Sequence, residues 1–184
     1  MSIRILLLVS LVLAGPPARV RAQQVLLTPE QALKEIFPEV ARTIDDRRAL
    51  PAAVRQQLEH DLGRRIDDDS LVVLRVFDDK GTLRGYAVQS EEIGKYRPIT
   101  FMVGVTPEMT VRDVAVLVYR ESRGGDVRRR RFLAQYRGKR THDPIDVNRD
   151  IINISGATIS VRSMNAGVKR VLAEVAALYA PPTR

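Results

Sequence analysis

The C-terminal stretch of the chain carries an apolar stripe that leaves few choices of fold. Over residues 160–179, Val161, Met164, Val168, Val171, Val175 and Leu178 recur by threes and fours, which puts them on one face of a single long helix. A stripe that continuous needs apolar surface to lie on, and the chain supplies it upstream as strands. Leu71-Val72-Val73-Leu74-Arg75-Val76-Phe77 is rich in β-formers, Asp78-Asp79-Lys80-Gly81 marks a turn, and residues 83–88 return. Residues 99–105 and 111–119 form a second antiparallel pair across Pro107-Glu108. The expected class is α+β: an antiparallel sheet packed against a long C-terminal helix.

Two short helices are expected before the sheet. Thr28-Pro29-Glu30-Gln31 has a capping threonine, a first-turn proline and a glutamine placed to close a capping box. Ala32, Leu33, Ile36 and Phe37 give that helix its apolar side, and Pro38 stops it. A second helix spans residues 51–62 and ends at Gly63. Asp45-Asp46-Arg47-Arg48, between the two, reads as a loop. Further on, Arg128-Arg129-Arg130-Arg131 precedes Phe132, Leu133 and Tyr136 at helical spacing. That pattern predicts an amphipathic helix over residues 127–136 with its arginines in solvent.

Composition narrows the chemistry. The absence of cysteine excludes disulfides, thiolate-bound zinc, iron–sulfur clusters and a cysteine nucleophile. The only two histidines, His60 and His142, lie far apart in sequence, so neither a histidine metal site nor a serine–histidine triad is expected. The chain opens with the marks of an export signal: Arg4, an apolar run over residues 5–13, a break at Gly15-Pro16-Pro17, and Val20-Arg21-Ala22 before a cut. The apolar run is short for a membrane span of ~20 residues. Loss of residues 1–22 would lower the formal charge of +8 by three. A basic chain suggests nucleic acid, but export argues against that, so no nucleic-acid partner is expected.

The segment with most chemistry is Ile154-Ser155-Gly156-Ala157-Thr158-Ile159-Ser160, just ahead of the last helix. Gly156 and Ala157 let a bulky group approach the backbone, and Ser155, Thr158 and Ser160 carry hydroxyls. Free amides at a helix N-terminus favour a phosphate or phosphodiester. The residues alone favour the plainer reading of a serine or threonine that caps the helix, because such caps are common.

Ser155-Gly156-Ala157-Thr158-Ile159-Ser160 resembles the flavin-attachment motif of the FMN-binding domain family, which includes flavin-carrying components of sodium-translocating NADH:quinone reductase and of the Rnf electron-transport complex. Tyr119-Arg120-Glu121-Ser122-Arg123-Gly124-Gly125 is similar to a loop that lies beside the flavin in that family, and the likeness extends over residues 99–179. The resemblance implies FMN as cofactor, phosphoester-linked to Thr158. It implies contributions from Ser155, Gly156, Ala157, Ser160, Glu121, Ser122 and Gly124, with Tyr119, Phe132 and Tyr136 as aromatic candidates beside the ring. It also implies maturation by an FAD:protein FMN transferase. The sequence departs from the family at Ile152, where an aspartate is usual, with Asp150 two residues earlier as the available substitute. Arg123 stands where proline is frequent.

These readings divide the chain into a signal peptide (1–22), a helical N-terminal segment (23–66) and an FMN-binding domain (67–180). The expected function is an electron relay outside the cytoplasm, periplasmic or on the outer face of the cytoplasmic membrane, serving an unidentified redox partner at the membrane. Two rivals are an FMN-dependent reductase of a small molecule and an exported interaction module without cofactor.

Overall fold

The computed structural model describes residues 24–181, so the export signal read over residues 1–22 lies outside the described residues. Six strands form one antiparallel sheet: β1 (Gln24–Val25), β2 (Arg42–Ala49), β3 (Ser70–Phe77), β4 (Leu83–Ile93), β5 (Pro98–Val105) and β6 (Val111–Tyr119). Their order across the sheet is β1-β6-β5-β4-β3-β2. From β2 to β6 each strand pairs with the next in sequence, and β1 returns to pair with β6, Gln24 opposite Tyr119. Both edges of the sheet come from the segment before residue 67.

The sheet is covered on both faces. Helix α4 (Thr158–Tyr179) lays Val161, Met164, Val168, Val171, Leu172 and Val175 against Val73, Val88, Ile99, Phe101, Val103, Val114 and Val116. Helix α1 (Pro29–Ile36) brings Ala32, Ile36 and its C-cap Phe37 against Val76, Ala87, Met102, Ala115 and Leu117 on the other face. Double coverage explains why β5 reads as a continuous apolar run rather than an alternating one. The predicted capping box of α1 is present: Gln31 N–H donates to Thr28 Oγ1 at 3.2 Å, and Thr28 N–H donates to Gln31 Oε1 at 2.9 Å. Helix α2 (Ala52–Leu62) ends at Gly63 as expected, though none of its residues is buried.

Two expectations need correction. The polar stretch Asp45-Asp46-Arg47-Arg48 is not a loop but the middle of β2, paired with residues 71–74. Its backbone completes the ladder of β3, and its charged side chains suit an edge that must not recruit another strand. The arginine-rich stretch is not one helix either. It breaks into a 3-10 turn at Gly125–Arg128, a single turn α3 (Arg130–Leu133) and a 3-10 turn at Ala134–Tyr136, with Arg129 extended between the first two. Val127, Phe132, Leu133 and Tyr136 all plug into the core, which a straight helix would not allow. The arginines there are not simply solvated. Arg130 and Arg137 hold the buried carboxylate of Asp113 on β6 at 3.2 and 2.7 Å, and Arg129 pairs with Asp126.

Among the described residues no helix is long and apolar enough to cross a membrane, and no histidine–carboxylate cluster could hold a metal ion.

Candidate functional site

Three chain segments meet at one end of the sheet. The first is the start of α4. Its N-cap is Ala157, which has no polar side chain to offer the first-turn amides, so no capping side chain among the described residues claims those N–H groups. Thr158 is the first helical residue rather than the cap, and this removes the capping explanation for its hydroxyl. Its Oγ1 accepts a hydrogen bond from Asn153 Nδ2 at 3.0 Å, while Asn153 Oδ1 is buried without a partner. Gly156 has φ +76°, a left-handed conformation that side chains disfavour, and a Cβ there would meet nothing within 4 Å. The backbone beside Thr158 is therefore bare and open.

The second segment is the loop after β6. The hydroxyl of Tyr119 donates to the Arg123 carbonyl at 2.6 Å and lies 3.3 Å from Ser160 Oγ. Burial pushes the Tyr119 hydroxyl above its ordinary range, so it keeps its proton and serves as a donor. Gly124, also at φ +76°, packs so closely that a Cβ would lie 3.0 Å from both Ser160 Oγ and Tyr119 Oη and 3.3 Å from Ala157 Cβ. The third segment is the connection between β4 and β5. Glu121 Oε1 accepts the backbone N–H groups of Tyr96 and of Arg97, the latter at 2.9 Å, and so ties this connection to the loop after β6.

These segments enclose a hollow of about 500 Å³ lined by Lys95, Tyr96, Glu121, Ser122, Arg123 and residues 156–160. That volume falls within the range of small-molecule sites, roughly 300–1,000 Å³. Of the residues singled out in the sequence, Glu121, Ser122, Gly156, Ala157, Thr158 and Ser160 line this one hollow, and Gly124 braces it from behind. Ser155 is exposed and does not line it. Sequence reading missed Lys95, Tyr96 and Asn153, which belong to no motif and reach the site through tertiary structure alone.

The aromatic candidates separate. Tyr136 is fully buried with its hydroxyl on Asn165 at 2.7 Å and belongs to the core. Phe132 lines a neighbouring hollow of about 390 Å³, together with Arg129, Arg131, Gln135, Ile152, Asn153 and Ile154. Asp150, the candidate substitute for the missing aspartate, has both its oxygens engaged. Lys139 Nζ (2.8 Å) and Ile145 N–H (3.1 Å) bond one, and Asp146 N–H (2.9 Å) bonds the other. Burial raises its affinity for a proton, yet these bonds prevail and hold the carboxyl below the usual aspartate range. Ile152 is 76% exposed, its amide donating to Gln135 Oε1 at 2.8 Å.

The residues present fit a flavin phosphate: unclaimed helix amides, a bare glycine, a reachable hydroxyl and the cationic side chains of Lys95 and Arg123 at the wall. Comparison with known proteins agrees. Residues 94–173 match the model of the FMN-binding domain family. The crystal structure of Shewanella oneidensis NqrC resembles the fold with a TM-score of 0.53 at 20% identity, covering 77% of this chain and 82% of that one. Comparison with curated proteins returns no match. The matched segment takes in the β4–β5 connection, the loop after β6 and most of α4, so the likeness to an FMN-binding domain falls on the segments that build the hollow, and FMN is the cofactor it indicates.

Proposed function

We propose that the chain is an exported flavoprotein that holds FMN through a phosphoester to Thr158 and relays electrons outside the cytoplasm. The observation that carries this reading is the placement of the Thr158 hydroxyl: at the first turn of α4, beside unclaimed amides, on the wall of the 500 Å³ hollow. Bound FMN supplies one- and two-electron chemistry; the protein supplies position and surroundings. Asn153 donates to the Thr158 oxygen and so fixes which way that hydroxyl points. The amides of the first turn favour an anion at this position, and Lys95 and Arg123 add positive charge to the same wall. Glu121 sets the β4–β5 connection that closes one side, and Tyr119 with Ser160 sets the other.

Attachment by an FAD:protein FMN transferase would break the pyrophosphate bond of FAD, join the FMN phosphorus to Thr158 Oγ1 and release AMP, the hydroxyl proton leaving to a base. Coexpression with such a transferase should give a yellow protein whose colour survives denaturation and whose mass rises by one FMN less one water. Thr158→Val should stay colourless after denaturation, whereas Ser155→Ala, altering an exposed side chain outside the hollow, should retain colour. A colourless wild type in the presence of active transferase defeats the covalent reading. Colour that washes out on denaturation leaves FMN binding in place and removes only the tether. The neighbouring 390 Å³ hollow favours a second reading, reduction of a small molecule, and that reading requires flavin reoxidation that depends on the molecule added.

A further inference from the structure

The mouth of the flavin hollow is ringed by side chains that a protein normally hides or pairs. Tyr96, on its wall, is 74% exposed, Ile159 47%, and Ile93, at the end of β4, 65%. They share one face: Ser163 Oγ donates both to the Ile93 carbonyl at 2.6 Å and to the Ile159 carbonyl at 3.0 Å, pinning the end of β4 to the first turns of α4. Large apolar side chains grouped in this way mark a surface that another body covers. Around them stand Lys95, Arg97, Arg123 and Arg162, all exposed. None of the four forms an ion pair among the described residues, unlike the arginines held at Asp113, Glu39 and Glu92. The one acid on the wall, Glu121, spends an oxygen on the amides of Tyr96 and Arg97.

We infer that this face is the docking surface for a redox protein with an acidic patch. The inference rests on the flavin reading above, because it is the flavin in the hollow that makes contact there useful. Unpaired cations around an apolar centre are the arrangement that speeds encounter with an acidic partner and then excludes water from the contact. A protein partner fits better than a lipid surface, since Lys95, Tyr96, Arg123 and Ile159 of this face also line the hollow and electrons must pass there. Arg162 and Arg97 steer, and Ile93, Tyr96 and Ile159 hold.

The test is a titration of the full chain, without flavin, followed by amide shifts. Flavodoxin serves as the acidic probe and cytochrome c as the basic one, each at ~0.02 M and ~0.3 M salt, a range over which the screening length falls severalfold. Flavodoxin should shift amides of residues 93–97, 123 and 159–163 saturably, and its affinity should fall about tenfold at the higher salt, while cytochrome c should leave them unmoved. Arg162→Glu should weaken binding at least fivefold. Lys80→Glu, the same charge change in the turn at the opposite end of β4, should weaken it less than twofold. Ile93→Ser should lower affinity without changing its salt dependence. Absence of a saturable shift, shifts scattered over the surface, or equal effects of Arg162→Glu and Lys80→Glu would each overturn the inference. So would tighter binding of the same face to anionic phosphatidylglycerol vesicles than to flavodoxin, which would make it a membrane surface. Because no flavin is needed, a negative result leaves the Thr158 attachment standing, and a colourless protein leaves this face to be judged separately.

Discussion

Replacing Glu121 with alanine should unfasten the β4–β5 connection without unfolding the domain. The carboxylate holds two backbone amides, those of Tyr96 and Arg97, and the only other ordering bond within that turn is Gly94 N–H to the Arg97 carbonyl at 2.9 Å. A hydrogen bond to a charged group contributes about 1.5–3 kcal/mol when buried. Tyr96 and Arg97 are exposed and Glu121 is half-buried, so about 1–2 kcal/mol for the pair together is the appropriate scale. A loss of that size raises the open population of the turn by a factor of about 5–30. Amide hydrogen exchange reads this directly: Tyr96 and Arg97 should exchange faster by that factor, while amides in the middle of β5 keep their protection. Glu121→Gln retains a neutral acceptor and should show a smaller increase. Transfer of FMN to Thr158 should fall in the alanine variant, since the wall formed by Lys95 and Tyr96 is no longer fixed. Unchanged exchange at Tyr96 and Arg97 in Glu121→Ala would refute the argument that this carboxylate organises the site.

The two left-handed glycines of the site should respond differently to alanine. Gly156→Ala meets open space and should cost only the backbone strain, about 1–2 kcal/mol by denaturant unfolding; Gly124→Ala adds contact with Ser160, Tyr119 and Ala157 and should cost about 1–3 kcal/mol more. Equal losses for the two would contradict the packing described. The folded-state pKa of Asp150 is depressed, so its contribution is present above the ordinary aspartate value near ~4 and is lost as pH falls through the depressed one. Asp150→Asn should therefore be less stable than wild type near neutrality by about 1–2 kcal/mol, with the gap narrowing below about pH 4; a gap independent of pH would show that the charge is not what matters.

Much of this molecule is legible in its residues, and the failures have physical causes. The capping box at Thr28 and Gln31 and the stripe of α4 are local patterns, so they survive folding unchanged. Segment β2 is hidden because Asp45-Asp46-Arg47-Arg48 has neither alternation nor β-formers; its strand exists only because β3 offers a ladder to pair with. The broken turns after Gly125 come from four buried anchors whose spacing looks helical but whose targets in the core are not arranged along one helix face. Thr158, Gly156 and Glu121 are identifiable from the motif and loop, yet the role of Glu121 is not. It acts on residues 96 and 97, more than twenty positions away, and no sequence pattern shows such a contact. Asp150 shows the converse: nothing in its chain position reveals that its oxygens bond Lys139 and the turn that contains it.

The strand order also sets a timetable for the chain. Strands β2 to β6 join as successive neighbours, pairings that close short loops and form early. Three closures are long-range: β1 onto β6, with Gln24 reaching Tyr119, α1 onto β5 and β6, and α4 onto the sheet across the connection 120–157. The last of these completes the wall of the hollow, because residues 156–160 at the start of α4 line it. A ribosome has therefore delivered the residues through α4 before the Thr158 hydroxyl takes its place on that wall. Under the flavin attachment proposed above, colour would report a docked α4, and chains stalled before that step would remain uncoloured.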